Sequence, residues 1–372
     1  MNNKICFFNR STIHYRKNIW LLMDKELPCD FYFGDSRPGK IKPIPYEEFE
    51  HFKGEFHNVN IGPFYWQKGA MKLLKSDYTD IITPGDYHCL STWMLLFRAK
   101  RKHKNVYLWT HGAYGDETGF KRWLALKSKK LAKGVFLYGN YAKGILEKWG
   151  IPSEKMFTIY NSLSYDEQLP LRKAIQPSNL YTNHFKNNNN NIVFIGRLTV
   201  VKKLDQILKA MKELKEEGTN YNVTFIGDGG MRTQLENLTA KLGLQNMVWF
   251  YGALYDEKKI AEFLYNADIC VSPGNVGLTA MHAMTFGCPV ISHDNFPKQM
   301  PEFEAIDPGK TGAFFKENDI HDLARAIKQW SETCGDREAV RNACYKVIDE
   351  KYNLHAQIDN FFNDNSSTKS CS

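Results

Sequence analysis

Three short segments in the second half of the chain combine glycines, cations and helix starts in a way that suits a charged ligand. The first reads Gly196-Arg197-Leu198-Thr199-Val200-Val201-Lys202-Lys203. A glycine closing an apolar run, followed by Arg and Lys, sets cations over one strand end, where a diphosphate could be neutralised. The second, Gly227-Asp228-Gly229-Gly230, offers bare backbone to an approaching ligand. The third, Pro273-Gly274-Asn275-Val276-Gly277-Leu278-Thr279, runs straight into a helical pattern, so its amides and the helix dipole make an anion site. Taken singly, each has a bland explanation, because strand-end glycines are common turn residues and surface cations are usually solvated. Their recurrence along one edge of a sheet is what argues for function.

These segments need strands and helices to hold them. Short β-rich runs at 192–195, 223–226, 247–251, 269–271 and 289–291 alternate with helical spacing at 204–214, 231–242, 257–265 and 278–286. That alternation predicts a doubly wound parallel sheet, which binds ligands at the carboxyl ends of its strands. The first half repeats the theme less clearly, with strands at 4–8, 31–33, 80–82, 106–109, 134–137 and 156–160 and helices at 18–25, 87–100 and 141–149. A polar stretch ending in Asn187-Asn188-Asn189-Asn190-Asn191 reads as a loop. The expected organisation is a first domain at 1–165, a linker at 166–191 and a second domain at 192–344. A segment at 345–363 is expected to pack back on the first domain, with a disordered tail at 365–372.

Length and composition agree with this. A chain of 372 residues exceeds one ordinary core, and 43% apolar content argues against disorder. The apolar patch near the amino terminus is too short for a signal peptide, and no run is long enough to span a bilayer. The expected setting is therefore cytoplasmic, or peripheral at the inner face of the cell membrane. Eight cysteines without a C-x-x-C pair read as reduced thiols. A net charge of +8 permits an anionic partner without naming one.

The segment 192–315 resembles the donor domain of family 4 retaining glycosyltransferases, of the bacterial surface-polysaccharide type. The residues that carry the likeness are G-R-L-x-x-x-K at Gly196 to Lys202, G-D-G at Gly227 to Gly229, Phe250-Tyr251-Gly252, and Ser272-Pro273 to Gly277-Leu278. It continues through Gly287-x-Pro289-Val290-Ile291, Pro301-Glu302 and Gly309-Lys310-Thr311-Gly312. In the first half, Trp109-Thr110-His111-Gly112 and Tyr160-Asn161-Ser162 are similar in style. The resemblance implies the GT-B fold, two Rossmann-like doubly wound parallel-sheet domains facing across a cleft. It implies transfer of a sugar, with retained configuration, from a nucleotide diphosphate sugar (UDP by family frequency) to a glycan or polyprenyl-linked acceptor.

Residue by residue, Arg197 and Lys202 match the cations that neutralise the leaving diphosphate. Gly196, Asn275, Gly277, Leu278 and Thr279 fall in the diphosphate and sugar grip. Gly227, Asp228, Gly229, Tyr251, His282 and Glu302 fall around the nucleoside. His111 matches a histidine that reaches the donor sugar. Fixed cations and dipoles can stabilise the leaving group without a metal, so no cofactor is implied beyond the nucleotide-sugar co-substrate. One departure stands out: the family usually places glutamates where this chain has Gly274 and His282, with Glu302 and Glu304 the nearest carboxylates in sequence. Near the amino terminus, Arg10, His14 and Arg16 follow the first strand and could meet an acceptor phosphate, or simply be exposed.

Two basic clusters lie within 98–104 and 121–133. The second reads as an amphipathic helix with Phe120 and Trp123, able to lie on anionic lipid, though an ordinary packed helix with a solvated lysine face has the same pattern. Two other readings remain: a GT-B-fold UDP-sugar 2-epimerase, and a non-catalytic glycan- or nucleic-acid-binding protein. No nucleic-acid-binding signature is present, and nucleic acid is not expected as a partner.

Overall fold

A computed structural model describes residues 4–35 and 43–366, so most of the tail expected to be disordered at 365–372 lies outside the described residues. The chain divides into two compact units, Met1–Leu163 with Leu354–Ser372, and Ser164–Asn353.

The first unit is built on β1 (Ile5–Asn9), β2 (Cys29–Gly34), β3 (Phe52–Ile61), β4 (Phe64–Lys68), β5 (Asp80–Pro84), β6 (Asn105–Thr110), β7 (Gly134–Leu137) and β8 (Met156–Thr158). Their order across the sheet is β4-β3-β2-β1-β5-β6-β7-β8, and only the β3–β4 hairpin is antiparallel. No strand is expected at 52–68 from the residues alone, because β3 is largely exposed and mixes polar with apolar residues, and β4 is only five residues long. Four helices follow in chain order: α1 (Lys17–Glu26), α2 (Leu90–Ala99), α3 (Gly119–Leu131) and α4 (Asn140–Lys148). Helix α1 buries Ile19, Trp20 and Met23 against the sheet. There Phe7 packs on Trp20 at 5.4 Å and on Phe31 at 5.5 Å between ring centroids. Phe7, Phe31, Phe33 and Trp20 are fully buried in this aromatic layer.

The second unit carries β9 (Asn190–Ile195), β10 (Tyr221–Ile226), β11 (Val248–Gly252), β12 (Ile269–Ser272), β13 (Val290–His293) and β14 (Gly312–Phe315). All neighbours are parallel, in the order β11-β10-β9-β12-β13-β14. Strands β10, β12 and β13 are buried along their whole length, so burial follows no alternation and polar residues such as Asn222, Thr224 and Ser292 lie inside with the apolar ones. The helices are α5 (Tyr165–Ala174), α6 (Leu180–Phe185), α7 (Asp205–Glu216), α8 (Arg232–Lys241), α9 (Glu257–Asn266), α10 (Leu278–Thr285), α11 (Ile320–Thr333) and α12 (Arg337–Lys351).

The linker expected at 166–191 is corrected by the structure. It folds into α5, α6 and the start of β9, all within the second unit. Buried Tyr181 anchors α6 by donating to the Phe263 carbonyl at 2.9 Å. The asparagine run orders itself through amide pairing: Asn222 Nδ2 donates to Asn187 Oδ1 at 2.9 Å and Asn191 Oδ1 at 3.0 Å. The Asn191 amide donates to Asp268 Oδ2 at 2.6 Å. Polarity marked a loop, but mutual hydrogen bonding satisfied these groups instead.

The return to the first unit also starts later than 345. Helix α12 stays with the second unit, where Arg341 donates to the Tyr265 carbonyl at 2.9 Å and Asp349 accepts from Arg172. Helix α13 (Leu354–Ser366) belongs to the first unit. There Gln357, fully buried, accepts from Ser162 Oγ at 2.7 Å and donates to the Tyr160 carbonyl at 2.9 Å. Phe361 packs edge-on against Phe136 at 4.4 Å and Trp109 at 5.1 Å.

Candidate functional site

In the second unit the loops after β9, β10 and β12 are locked together through their backbones. The Gly196 amide donates to the Ile226 carbonyl at 2.9 Å, and the Gly227 amide to the Gly252 carbonyl at 2.7 Å. A Cβ at Gly227 would stand 1.9 Å from the Gly196 oxygen, and one at Gly229 would stand 2.4 Å from the Leu198 oxygen. Those glycines therefore serve loop-on-loop packing. Exposed Asp228 accepts from the Gly229 amide at 2.7 Å.

Arg197 is exposed at the end of this assembly. Lys202 is fixed, its Nζ donating to the Asn275 carbonyl at 2.6 Å and Asn275 Oδ1 at 3.1 Å. Burial holds the Lys202 ammonium below the usual lysine range; buried Glu302 opposes that effect and Arg197 adds to it. The structure thus brings Arg197, Lys202, Asn275 and Glu302 into one electrostatic neighbourhood. Gly277, at φ 53°, turns the chain into α10, whose first turn holds no acidic side chain. Leu278 is partly exposed at that turn, while Thr279 is occupied, its hydroxyl donating to the Ile195 carbonyl at 3.0 Å. Sequence reading missed Gln299, which is buried and accepts from the Val276 amide at 2.9 Å. It also missed Glu317, which holds Lys203 Nζ at 2.6 Å. Nothing in the local spacing announced either.

The two departures from the family pattern acquire physical causes. A Cβ at Gly274 would stand 2.0 Å from the Val201 oxygen, so this loop leaves no room for a side chain there. His282 Nε2 lies 2.8 Å from Glu257 Oε1, which also accepts from Gln168 Nε2 at 2.7 Å. Burial pushes the Glu257 carboxyl up, but the hydrogen bonds and charge of His282 and Gln168 outweigh it and hold it low. The carboxylate beside His282 is therefore Glu257, at the start of α9, rather than Glu302 or Glu304. Tyr251 packs edge-on to Phe263 at 4.8 Å.

In the first unit, strand ends surround a pocket of about 270 Å³ lined by Asn9, Arg16, Asp86, Trp109, His111 and Tyr138, among others. His111 lies 4.9 Å from the Tyr138 ring, and its Nδ1 is buried without a partner. Burial, then the Arg16 charge, push its pKa down to about 4. Of the amino-terminal candidates only Arg16 lines this pocket. Arg10 is exposed and lies over the Tyr65 ring at 4.3 Å, and His14 is exposed.

The basic surface needs one correction. Lys129 is 2% exposed, its Nζ donating to the Ala125 carbonyl at 3.3 Å, because it falls on the packed face of α3 with Ala125 and Ser128. Lys104 is likewise engaged, donating to the Ser76 and Tyr78 carbonyls. Phe97, Phe120 and Trp123 are exposed, the last two stacked at 5.5 Å. No described helix is long and apolar enough to cross a membrane.

Residues 180–347 match the family described as Glycosyl transferases group 1. An uncharacterized 41.2 kDa protein in the cps region of Klebsiella pneumoniae is 24% identical over 332 residues, covering 86% of this chain and 80% of its own. The amylovoran biosynthesis glycosyltransferase AmsK of Erwinia amylovora is 27% identical over 175 residues, 44% of this chain and 41% of that one, so the match spans less than half of that relative. The Anabaena protein HepE, crystallised with UDP, superposes with a TM-score of 0.74 at 16% identity, covering 98% of this chain and all of that one. The lipopolysaccharide outer core galactosyltransferase WaaB, in its apo form, gives 0.73 at 16%, covering 98% and 99%. The structural likeness sets the fold as GT-B, and residues 180–347, less than half of the chain, carry a glycosyl transferases group 1 domain.

Proposed function

We propose that the chain moves a sugar, with retained anomeric configuration, from a UDP-sugar to a hydroxyl of a glycan or lipid-linked acceptor in surface polysaccharide assembly. The observation that carries this reading is the fixed cation of Lys202, tied to Asn275 beside Arg197 and the start of α10. A diphosphate leaving from that position would meet two cations and a helix dipole that need no reorganisation as charge develops. The acceptor hydroxyl would attack on the face the diphosphate leaves, with no protein nucleophile and no metal. In this reading the first-unit pocket would receive the acceptor, and His111 on its wall would reach the donor sugar. The polysaccharide names of the relatives and the UDP bound to HepE support the substrate classes.

A thermal-shift series with UDP, GDP and ADP tests the donor. UDP is expected to raise the melting temperature, since a ligand that binds only the folded state stabilises it. Arg197→Ala/Lys202→Ala is expected to weaken UDP about 100-fold; undiminished affinity in that variant would sink the reading. Transfer should persist in EDTA. The exposed Phe97, Phe120 and Trp123 beside Lys100, Arg101, Lys121 and Lys130 support a seat on anionic lipid. Phe120→Ser/Trp123→Ser should then release the protein from phosphatidylglycerol vesicles in sedimentation; equal pelleting of both proteins would count against that seat.

A further inference from the structure

Arg16 stands on the wall of the first-unit pocket in surroundings that favour negative charge in whatever enters. It forms the amino-terminal cap of α1, a helix with no capping side chain and no acidic residue in its first turn. Its guanidinium lies 4.9 Å from the Tyr138 ring, 5.4 Å from Trp109 and 5.9 Å from Tyr15. Ring faces orient a guanidinium, but they are weak acceptors for its five N–H donors. Among the described residues no carboxylate lies within ion-pair distance of it, and none of its N–H groups is a buried orphan, so they remain open to what enters the pocket. The carboxylate of Asp86, on the same wall, is already engaged, Oδ1 accepting from both the amide and Nδ1 of His88 at 2.9 Å. His111 is neutral near pH 7, so it can meet a sugar hydroxyl without adding a second fixed charge.

The volume, about 270 Å³, is at the low end of small-molecule sites, enough for one sugar ring rather than a nucleotide. We propose that this pocket selects an acceptor whose terminal sugar carries a carboxylate or a phosphate, and that Arg16 binds that acidic group. The assignment rests on the reading that the first unit holds the acceptor, and it makes Arg16 a specificity-determining residue. Planar two-point binding of a carboxylate or phosphate is the geometry a guanidinium offers and an ammonium does not.

Calorimetric and saturation-transfer titrations of the full chain with glucuronic acid, glucose 6-phosphate and glucose test this, with UDP titrated in parallel. At least one acidic sugar is expected to bind about tenfold more tightly than glucose at low salt, and the stronger of the two identifies the acid. Arg16→Gln should erase that preference while leaving UDP affinity within about twofold, and Arg16→Lys should retain part of it. Asp86→Asn, which removes the opposing charge, should strengthen acid binding. The proposal is overturned if neither acidic sugar binds better than glucose or if Arg16→Gln keeps the preference. It is equally overturned if that variant loses UDP by the same factor, because Arg16 would then serve the donor. A chain that ignores UDP yet prefers acidic sugars would remove the transferase reading and leave the pocket standing; the reverse result would remove the pocket alone.

Discussion

The two units place their candidate groups at the same topological position, the carboxyl ends of parallel strands, but make that position from different material. In the second unit backbone lies on backbone: the loops after β9, β10 and β12 approach so closely that Gly227, Gly229 and Gly274 have no room for a Cβ. In the first unit side chains make the walls, with Arg16 held over Trp109 and Tyr138 from separate strands and a helix start. A site made of close backbone leaves a local glycine signature. A site made of dispersed aromatic side chains leaves almost none.

If that contrast is right, the second unit should be far less forgiving. Gly274→Glu, which restores the family's usual residue, is expected to cost about 4 kcal/mol or prevent folding, because the new Cβ meets the Val201 carbonyl. Urea denaturation checks it; a variant as stable as the parent would show that the loop relaxes freely. Gly227→Ala should cost about 3 kcal/mol for the same reason.

The first unit should instead tolerate, and in places welcome, replacement. Burial pushes Lys129 down to about 8, with Glu117 only partly opposing it. Its charged form is therefore penalised in the folded state, and the penalty is complete below pH 8. Stability should rise as the pH climbs from about 8 toward the unfolded lysine value, where the folded side chain alone has lost its proton. Lys129→Met should stabilise the protein at pH 7 by up to about 3 kcal/mol and flatten that rise. A destabilised variant at pH 7 would mean the Ala125 hydrogen bond outweighs the buried charge. Smallest of all, Trp109→Phe removes a buried indole N–H that has no partner. Its stability change should stay within about 1 kcal/mol, the lost packing offset by the lost orphan donor; a larger drop would reveal a water bonded there.

The same contrast explains what could be read from the chain beforehand. Five of the six strands of the second unit and the Arg197–Lys202 loop were legible because buried parallel strands are short, largely apolar runs and strand-end glycines punctuate them; β14 (Gly312–Phe315) was not foreseen. The β3–β4 hairpin was not, since β3 is mostly exposed and polar residues interrupt it, and β4 is a short run with one exposed end. Residues 166–191 misled because amide side chains that pair with one another look, one by one, like solvated loop residues. Glu257 beside His282 was hidden by distance: its partner lies 25 positions away, on another helix, at no characteristic spacing. Lys129 looked like part of a charged surface because composition cannot say which face of α3 packs inward.

Helix α13 gives the chain an unusual assembly order. The second unit occupies one unbroken stretch, Ser164–Asn353, whereas the first must wait for Gln357 and Phe361 to cover Ser162, Phe136 and Trp109. During synthesis the later-made half can close first, reversing the usual amino-to-carboxyl sequence of domain maturation. Cutting the chain after Asn353 should accordingly leave a protease-resistant second unit beside a first unit that is readily digested. Equal resistance of both would show that α13 is a covering and not a keystone.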